Sequence, residues 1–373
     1  MQNDNTQIFS IDIETIIKNS LQNLQIYDNS GNFRNESNFK HELFHGICSQ
    51  VVNGIHLGEP YNNSKTSVVH CESKVENGSE SSRKADLIFC NPLKRMSGVG
   101  NTFNYHVEAV CELKKRFSNK NFTDEIDKCK KYNKKIEQYF FIEPFRELKP
   151  AAEVIDLCNR TNIKYLTPLN KPNYKIEHYT YSEAVENTIS TLTECLSLYG
   201  HNNSLFQSFY WCNYEHELGR GVTFPSEGDF NAHVYHRLKT LMPFSHIETE
   251  LIVGQNKRID MVIFGQNRDW CIPIEVKQNW DQFKLKYKDR VQVEEEATTI
   301  LNRFDTLKNQ QFITYKPILV VIQGDNYYSH IYSRNDSRNN KHRSLNLIRK
   351  KLPDLTILSF NESQNKVGNP TSV

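Results

Sequence analysis

The chain reads as an α/β protein of two tandem domains, each a mixed central sheet flanked by helices. Three observations predict this. A strand-like run carrying an aspartate is followed by one carrying Glu-x-Lys, and this happens once in each half: Lys84 to Phe89 with Ala109 to Lys114, then Arg258 to Phe264 with Pro273 to Lys277. Upstream of both pairs lies the pattern E-x-[ND]-F-x4-[FY]-H-x-[IL], from Glu36 to Ile47 and from Glu227 to Leu238. Downstream, helix-period and strand-period segments follow in the same order in both halves.

Each element has its own signal. Phe39, Leu43 and Ile47, like Phe230, Val234 and Leu238, recur at helical spacing and give one apolar stripe to the first helix of each half. The short apolar runs around Asp86, Cys111, Asp260 and Ile274 read as strands. A basic helix is expected over 124–132 and an apolar strand over Tyr139 to Ile142, matched in the second half by a helix from Val291 to Lys308 and a strand from Ile318 to Ile322. A last helix and strand close each half: Ala151 to Asn162 with Ile163 to Leu166, and Arg343 to Leu352 with Leu355 to Leu358. Helix, strands, helix, strand, helix, strand is an α/β order.

A helix over 181–199 carries Val185, Ile189, Leu192 and Leu196 on one face and stops at Gly200 before the polar run 201–204. The join is placed there, giving domains 1–200 and 205–373. Between Phe206 and Tyr214 lies an aromatic cluster that either packs between domains or offers a surface for stacking bases. Two insertions lengthen the first half, a turn-prone stretch around Asn77-Gly78-Ser79 and a hairpin loop from Met96 to Asn104.

The chemistry follows from strand geometry. Residues i and i+2 of a strand share a face, so Glu112 with Lys114, and Glu275 with Lys277, each converge on one place beside the aspartate of the neighbouring strand. Hard carboxylate oxygens suit Mg²⁺, with Mn²⁺ as a substitute, and such an ion activates water for attack on a phosphodiester. Lysine supplies a compact charge for the water or the phosphate. Both Glu-x-Lys pairs end apolar runs, where a charge without a ligand is costly; an exposed Glu-Lys pair on a strand would instead contribute little.

These residues resemble the PD-(D/E)xK nuclease superfamily, with two restriction-endonuclease-like domains in tandem. Ala85 and Ile259 stand where the superfamily's name has proline, a change it accommodates. The resemblance covers the cores of both halves and implies a Mg²⁺-dependent endonuclease acting on DNA in preference to RNA. It makes Asp86, Glu112, Lys114, Asp260, Glu275 and Lys277 catalytic. Asp86, Glu112 and the Leu113 carbonyl would hold one metal, and Asp260, Glu275 and the Val276 carbonyl the other. Glu36 and Glu227 are supporting acidic residues, or else ordinary first-turn acids favoured by the helix dipole. Tandem copies of such domains occur in cytoplasmic-incompatibility factors of insect endosymbionts, where a partner protein binds the nuclease. Restriction, mobile-element processing and a toxin or effector role fit the residues equally. A non-cleaving module that binds nucleic acid or a protein partner or inhibitor is the alternative.

Composition bounds these readings. A chain of 373 residues with 38% hydrophobic and 11% aromatic content can build two folded cores. Net charge is only +2, so nucleic-acid binding has to rest on local clusters: Lys115, Arg116, Lys128 and Lys131 after the first site, Lys284 and Lys286 after the second. Such runs are also ordinary solvated faces. Nine cysteines lack zinc-ligand spacing, which leaves small core residues in a reducing, cytoplasmic setting as the expectation. His45 and His236 occupy equivalent places and are read as structural. No membrane-spanning run and no glycine-rich phosphate loop is present.

Overall fold

The computed structural model describes residues 11–26, 33–59, 67–74, 84–97, 103–114, 119–129, 136–145, 152–200, 227–254, 257–277, 290–309, 314–321, 350, 352–361 and 366–368. They fall into two compact units, one holding the described residues up to Tyr174 and the other those from Lys175 onward.

The first unit runs α1 (Ile13–Gln22), β1 (Gln25–Ile26), α2 (Glu36–Cys48), β2 (Val51–Val52), β3 (Ile55–His56), β4 (Val69–Lys74), β5 (Lys84–Ser97), β6 (Phe103–Leu113), α3 (Asn119–Cys129), β7 (Gln138–Ile142), α4 (Ala152–Thr161), β8 (Ile163–Leu166) and β9 (Asn173–Tyr174). The second runs α5 (Tyr181–Gly200), α6 (Glu227–Leu241), β10 (His246–Ile252), β11 (Arg258–Phe264), β12 (Trp270–Lys277), α7 (Arg290–Lys308), β13 (Thr314–Tyr315), β14 (Ile318–Val321), β15 (Thr356–Asn361) and β16 (Lys366–Gly368).

Helix α2 starts where Asn35 accepts a hydrogen bond from the Asn38 N–H at 2.7 Å, satisfying one of the amides a helix leaves unpaired at its start. Its expected stripe is fully buried at Phe39, Leu43 and Ile47. Helix α5 opens on a capping box: the Thr180 N–H donates to Glu183 at 2.9 Å while the Glu183 N–H donates to the Thr180 hydroxyl at 3.3 Å. That helix, assigned from sequence to the end of the first domain, packs within the second unit, where its Glu194 pairs with Arg237 of α6.

The two sheets share one plan. In the first, the order is β4-β5-β6-β7-β8, with the first two pairings antiparallel and the next two parallel. In the second, β10-β11-β12-β14-β15 repeats that order and those directions, with β16 added antiparallel at the edge and β13 beside β12. Strand β12 is buried at all eight positions, as a strand covered on both faces must be. Separate apolar cores form around Val110, Phe122 and Phe141 in one unit and around Val262, Phe304 and Leu319 in the other. Phe122 meets Phe141 edge-on at 4.8 Å, a favoured aromatic geometry.

Several details differ from the sequence expectation. Strands β5 and β6 run into both ends of the expected Met96 to Asn104 loop and pair Met96 with Asn104 and Ser97 with Phe103, while residues 98–102 lie outside the described residues. Helix α3 begins at Asn119, ahead of the basic stretch. Helix α1 and the pairings β1 with β9 and β2 with β3 were not among the elements expected from the sequence. The insertion at 77–79, the aromatic cluster at 206–214 and residues 343–349 of the expected last helix lie outside the described residues.

Candidate functional site

In both units the antiparallel ladder ends just short of the motif, and its last pairs are Leu87 with Cys111 and Met261 with Ile274. The aspartate one residue further out then reaches across. Asp86 accepts the Leu113 N–H at 2.8 Å and Asp260 accepts the Val276 N–H at 2.7 Å, although the partners lie 27 and 16 residues apart in sequence. Each aspartate is therefore fixed to the middle residue of its Glu-x-Lys. A strand residue's N–H and C=O point to the same side, so the Leu113 and Val276 carbonyls face the aspartates as well.

The glutamates are fully buried, both at 0% exposure. Each is paired with a cation from the helix that follows it: Glu112 with Lys128 of α3 at 2.6 Å, Glu275 with Arg303 of α7. Lys128, expected to contact nucleic acid, is thus committed to the site. Burial first, then the charge of Asp86, pushes the Glu112 carboxyl up to about 8 against the pull of Lys128. Burial and Glu275 likewise raise Asp260. Two carboxyl groups brought together in a dry place, one of them raised by burial and by its neighbour's charge, form a seat for a cation.

The lysines complete both centres. Lys114 lies 3.1 Å from Glu36, 3.4 Å from Glu125 and 4.0 Å from Asp86. Lys277 lies 2.9 Å from Glu275. Burial alone would lower both lysine pKa values, yet Asp86, Glu36 and Glu125 raise the first, and Asp260, Glu275 and Glu227 the second. Glu36 and Glu227 therefore act on the lysines of their own centres. Lys115, Arg116, Lys131, Lys284 and Lys286 lie outside the described residues.

Sequence reading missed five participants. Glu125 bridges Lys114 and Lys128, the latter at 3.4 Å. Arg303 is the second unit's counterpart of Lys128. Lys40 of α2 pairs with Glu72 and lies 3.9 Å from Asp86. Glu72 and Glu250 hold the same register positions opposite Asp86 and Asp260, and both are left-handed, with φ of 48° and 47°. That conformation costs a non-glycine residue about 1–3 kcal/mol, and such strain clusters at functional sites. Glu250 pairs with Arg258 at 2.8 Å. The spacing of Glu125 and Lys128 by one helical turn was a readable signal; the register of Glu72 and Glu250 was not.

These donors fit a hard divalent cation. They are oxygens alone, and Glu275 Oε2 is buried with no hydrogen-bond partner among the described residues, which is the atom a metal would satisfy. No helix among the described residues is long and apolar enough to cross a membrane. No protein-family model, curated protein or solved structure matches this chain.

Proposed function

We propose that the chain is a metal-dependent nuclease of the PD-(D/E)xK type with one active centre in each unit, hydrolysing phosphodiester bonds in DNA. The observation that carries this reading is the repeated fixing of an aspartate to the backbone of a Glu-x-Lys strand, beside a buried glutamate and a lysine. Coincident motifs on a structural repeat would leave the aspartates apart from their Glu-x-Lys partners.

Asp86, Glu112 and the Leu113 carbonyl would hold Mg²⁺ in the first centre; Asp260, Glu275 and the Val276 carbonyl would hold it in the second. A bound divalent cation polarises the phosphoryl oxygen and lowers the pKa of its water. Lys114 and Lys277 hold a charge where the attacking water and the developing phosphate anion would sit, and their neighbouring carboxylates keep them protonated. Glu36 orients Lys114 through their ion pair, and Glu227 acts on Lys277 through its charge. Lys128 and Arg303 hold the two buried glutamates in place from the helix that follows each strand.

The test is cleavage of supercoiled plasmid in Mg²⁺, Mn²⁺ or EDTA by the wild type, Lys114→Ala, Lys277→Ala and the double variant. Metal-dependent cutting that drops to nicking in each single variant and disappears in the double is the expected result. An inactive wild type that still binds DNA or a protein would replace this reading with a non-cleaving module.

A further inference from the structure

The two centres share their ligands but not their cations. In the first, both carboxylate oxygens of Asp86 face an ammonium: Lys40 lies 3.9 Å from Oδ1 and Lys114 lies 4.0 Å from Oδ2. Lys40 is held there, since its side chain is only 7% exposed and is paired with Glu72, whose backbone is locked in the left-handed region. In the second, aligning Glu36 with Glu227 puts Asn231 at the place of Lys40. Lys277 turns to Glu275 and Arg303 pairs with the same carboxylate, so both act on Asp260 only from further off, and no ion pair within 4.0 Å holds Asp260 among the described residues. Glu275 Oε2 is buried there without a hydrogen-bond partner among those residues.

We propose that the centres bind their divalent cations with different affinities, the second more tightly, and that Lys40 is the positioning residue that sets the difference. This rests on the metal-dependent reading above. A cation entering the first centre meets an ammonium beside each oxygen of Asp86, and burial stops Lys40 from swinging away. In the second centre the cation relieves the repulsion between Asp260 and Glu275 and satisfies an orphaned oxygen. The first centre is weaker by about tenfold, less than a lone unit charge about 4 Å away in a partly screened site would give, because Glu72 offsets part of the Lys40 charge.

Mn²⁺ titrated into the EDTA-stripped full chain, followed by calorimetry and by the electron paramagnetic resonance of free Mn²⁺, should resolve two classes of site. Glu275→Gln should remove the tighter class and Asp86→Asn the weaker. Lys40→Met, which keeps the stem and removes the charge, should tighten the weaker class by about tenfold without moving the other. Asn231→Lys should weaken the tighter class, and it decides the matter if Lys40→Met does not fold. Two equal affinities, or a tighter class lost in Asp86→Asn, would overturn the inference while leaving a metal-binding protein. A wild type that binds no Mn²⁺ would overturn the metal-dependent reading itself.

Discussion

Glu112 shows how one buried residue ties the centre to pH. Its carboxyl is pushed up to about 8 from an ordinary value near 4.5, so the folded chain keeps a proton that the unfolded chain releases. For a carboxylate raised in this way, the stabilisation is complete below about 4.5 and is lost as pH rises towards 8. In EDTA, thermal unfolding should therefore show a stability contribution that declines over that window, and Glu112→Gln should flatten the decline. If Glu112 holds Mg²⁺ as proposed, the ion has to displace the same proton, so the gain in melting temperature from Mg²⁺ should grow between pH 6 and pH 8.5. A Mg²⁺ gain independent of pH would separate Glu112 from the metal. Glu112 was readable as a candidate because Glu-x-Lys at a strand end is a local pattern. Lys40 was not, because its pairing with Glu72 and its approach to Asp86 join three separate elements.

Among the elements, the apolar stripes and the caps decide what forms. Phe141 on β7 and Phe304 on α7 are both fully buried, and truncating either to alanine should cost about 3–5 kcal/mol. Removing the Thr180 cap of α5 should cost about 1 kcal/mol, since the Glu183 amide loses its acceptor. Chemical denaturation of the three variants checks both magnitudes; a loss near 1 kcal/mol in Phe141→Ala would mean the cavity collapses. Helix and strand order was legible because the period of the apolar residues is set locally. Helix α1 was harder to see despite its cap at Asp12, which accepts the Thr15 N–H at 3.1 Å, because it belongs to neither copy of the repeated order. The two ends of the expected loop at Met96 to Asn104 are ladder because β5 and β6 pair well beyond the site, a gain no single strand's sequence encodes.

Over the whole molecule, the described residues form two compact units with separate cores. Two centres with unequal cation affinity would act in sequence as Mg²⁺ is raised, so plasmid should first be nicked and only at higher Mg²⁺ linearised. Lys40→Met should bring the two events together. Linear product appearing at the lowest active Mg²⁺ in the wild type would argue against unequal centres. A division into two units was expected from length and internal repetition, whereas the assignment of α5 to the second unit was not: its apolar face specifies burial but not against which sheet.

The sequence by itself determined which residues are the candidates for holding a metal, because oxygen donors, strand alternation and a duplicated motif are local properties that survive in a one-dimensional reading. Tertiary structure alone decided what surrounds them. The bond from each aspartate to the middle of Glu-x-Lys crosses strands, and the cation on each buried glutamate arrives from a helix. The lysine beside Asp86 comes from α2, with an asparagine in its place in the other copy. Electrostatic interaction depends on distance through space and on burial, and neither is written in the spacing along a chain.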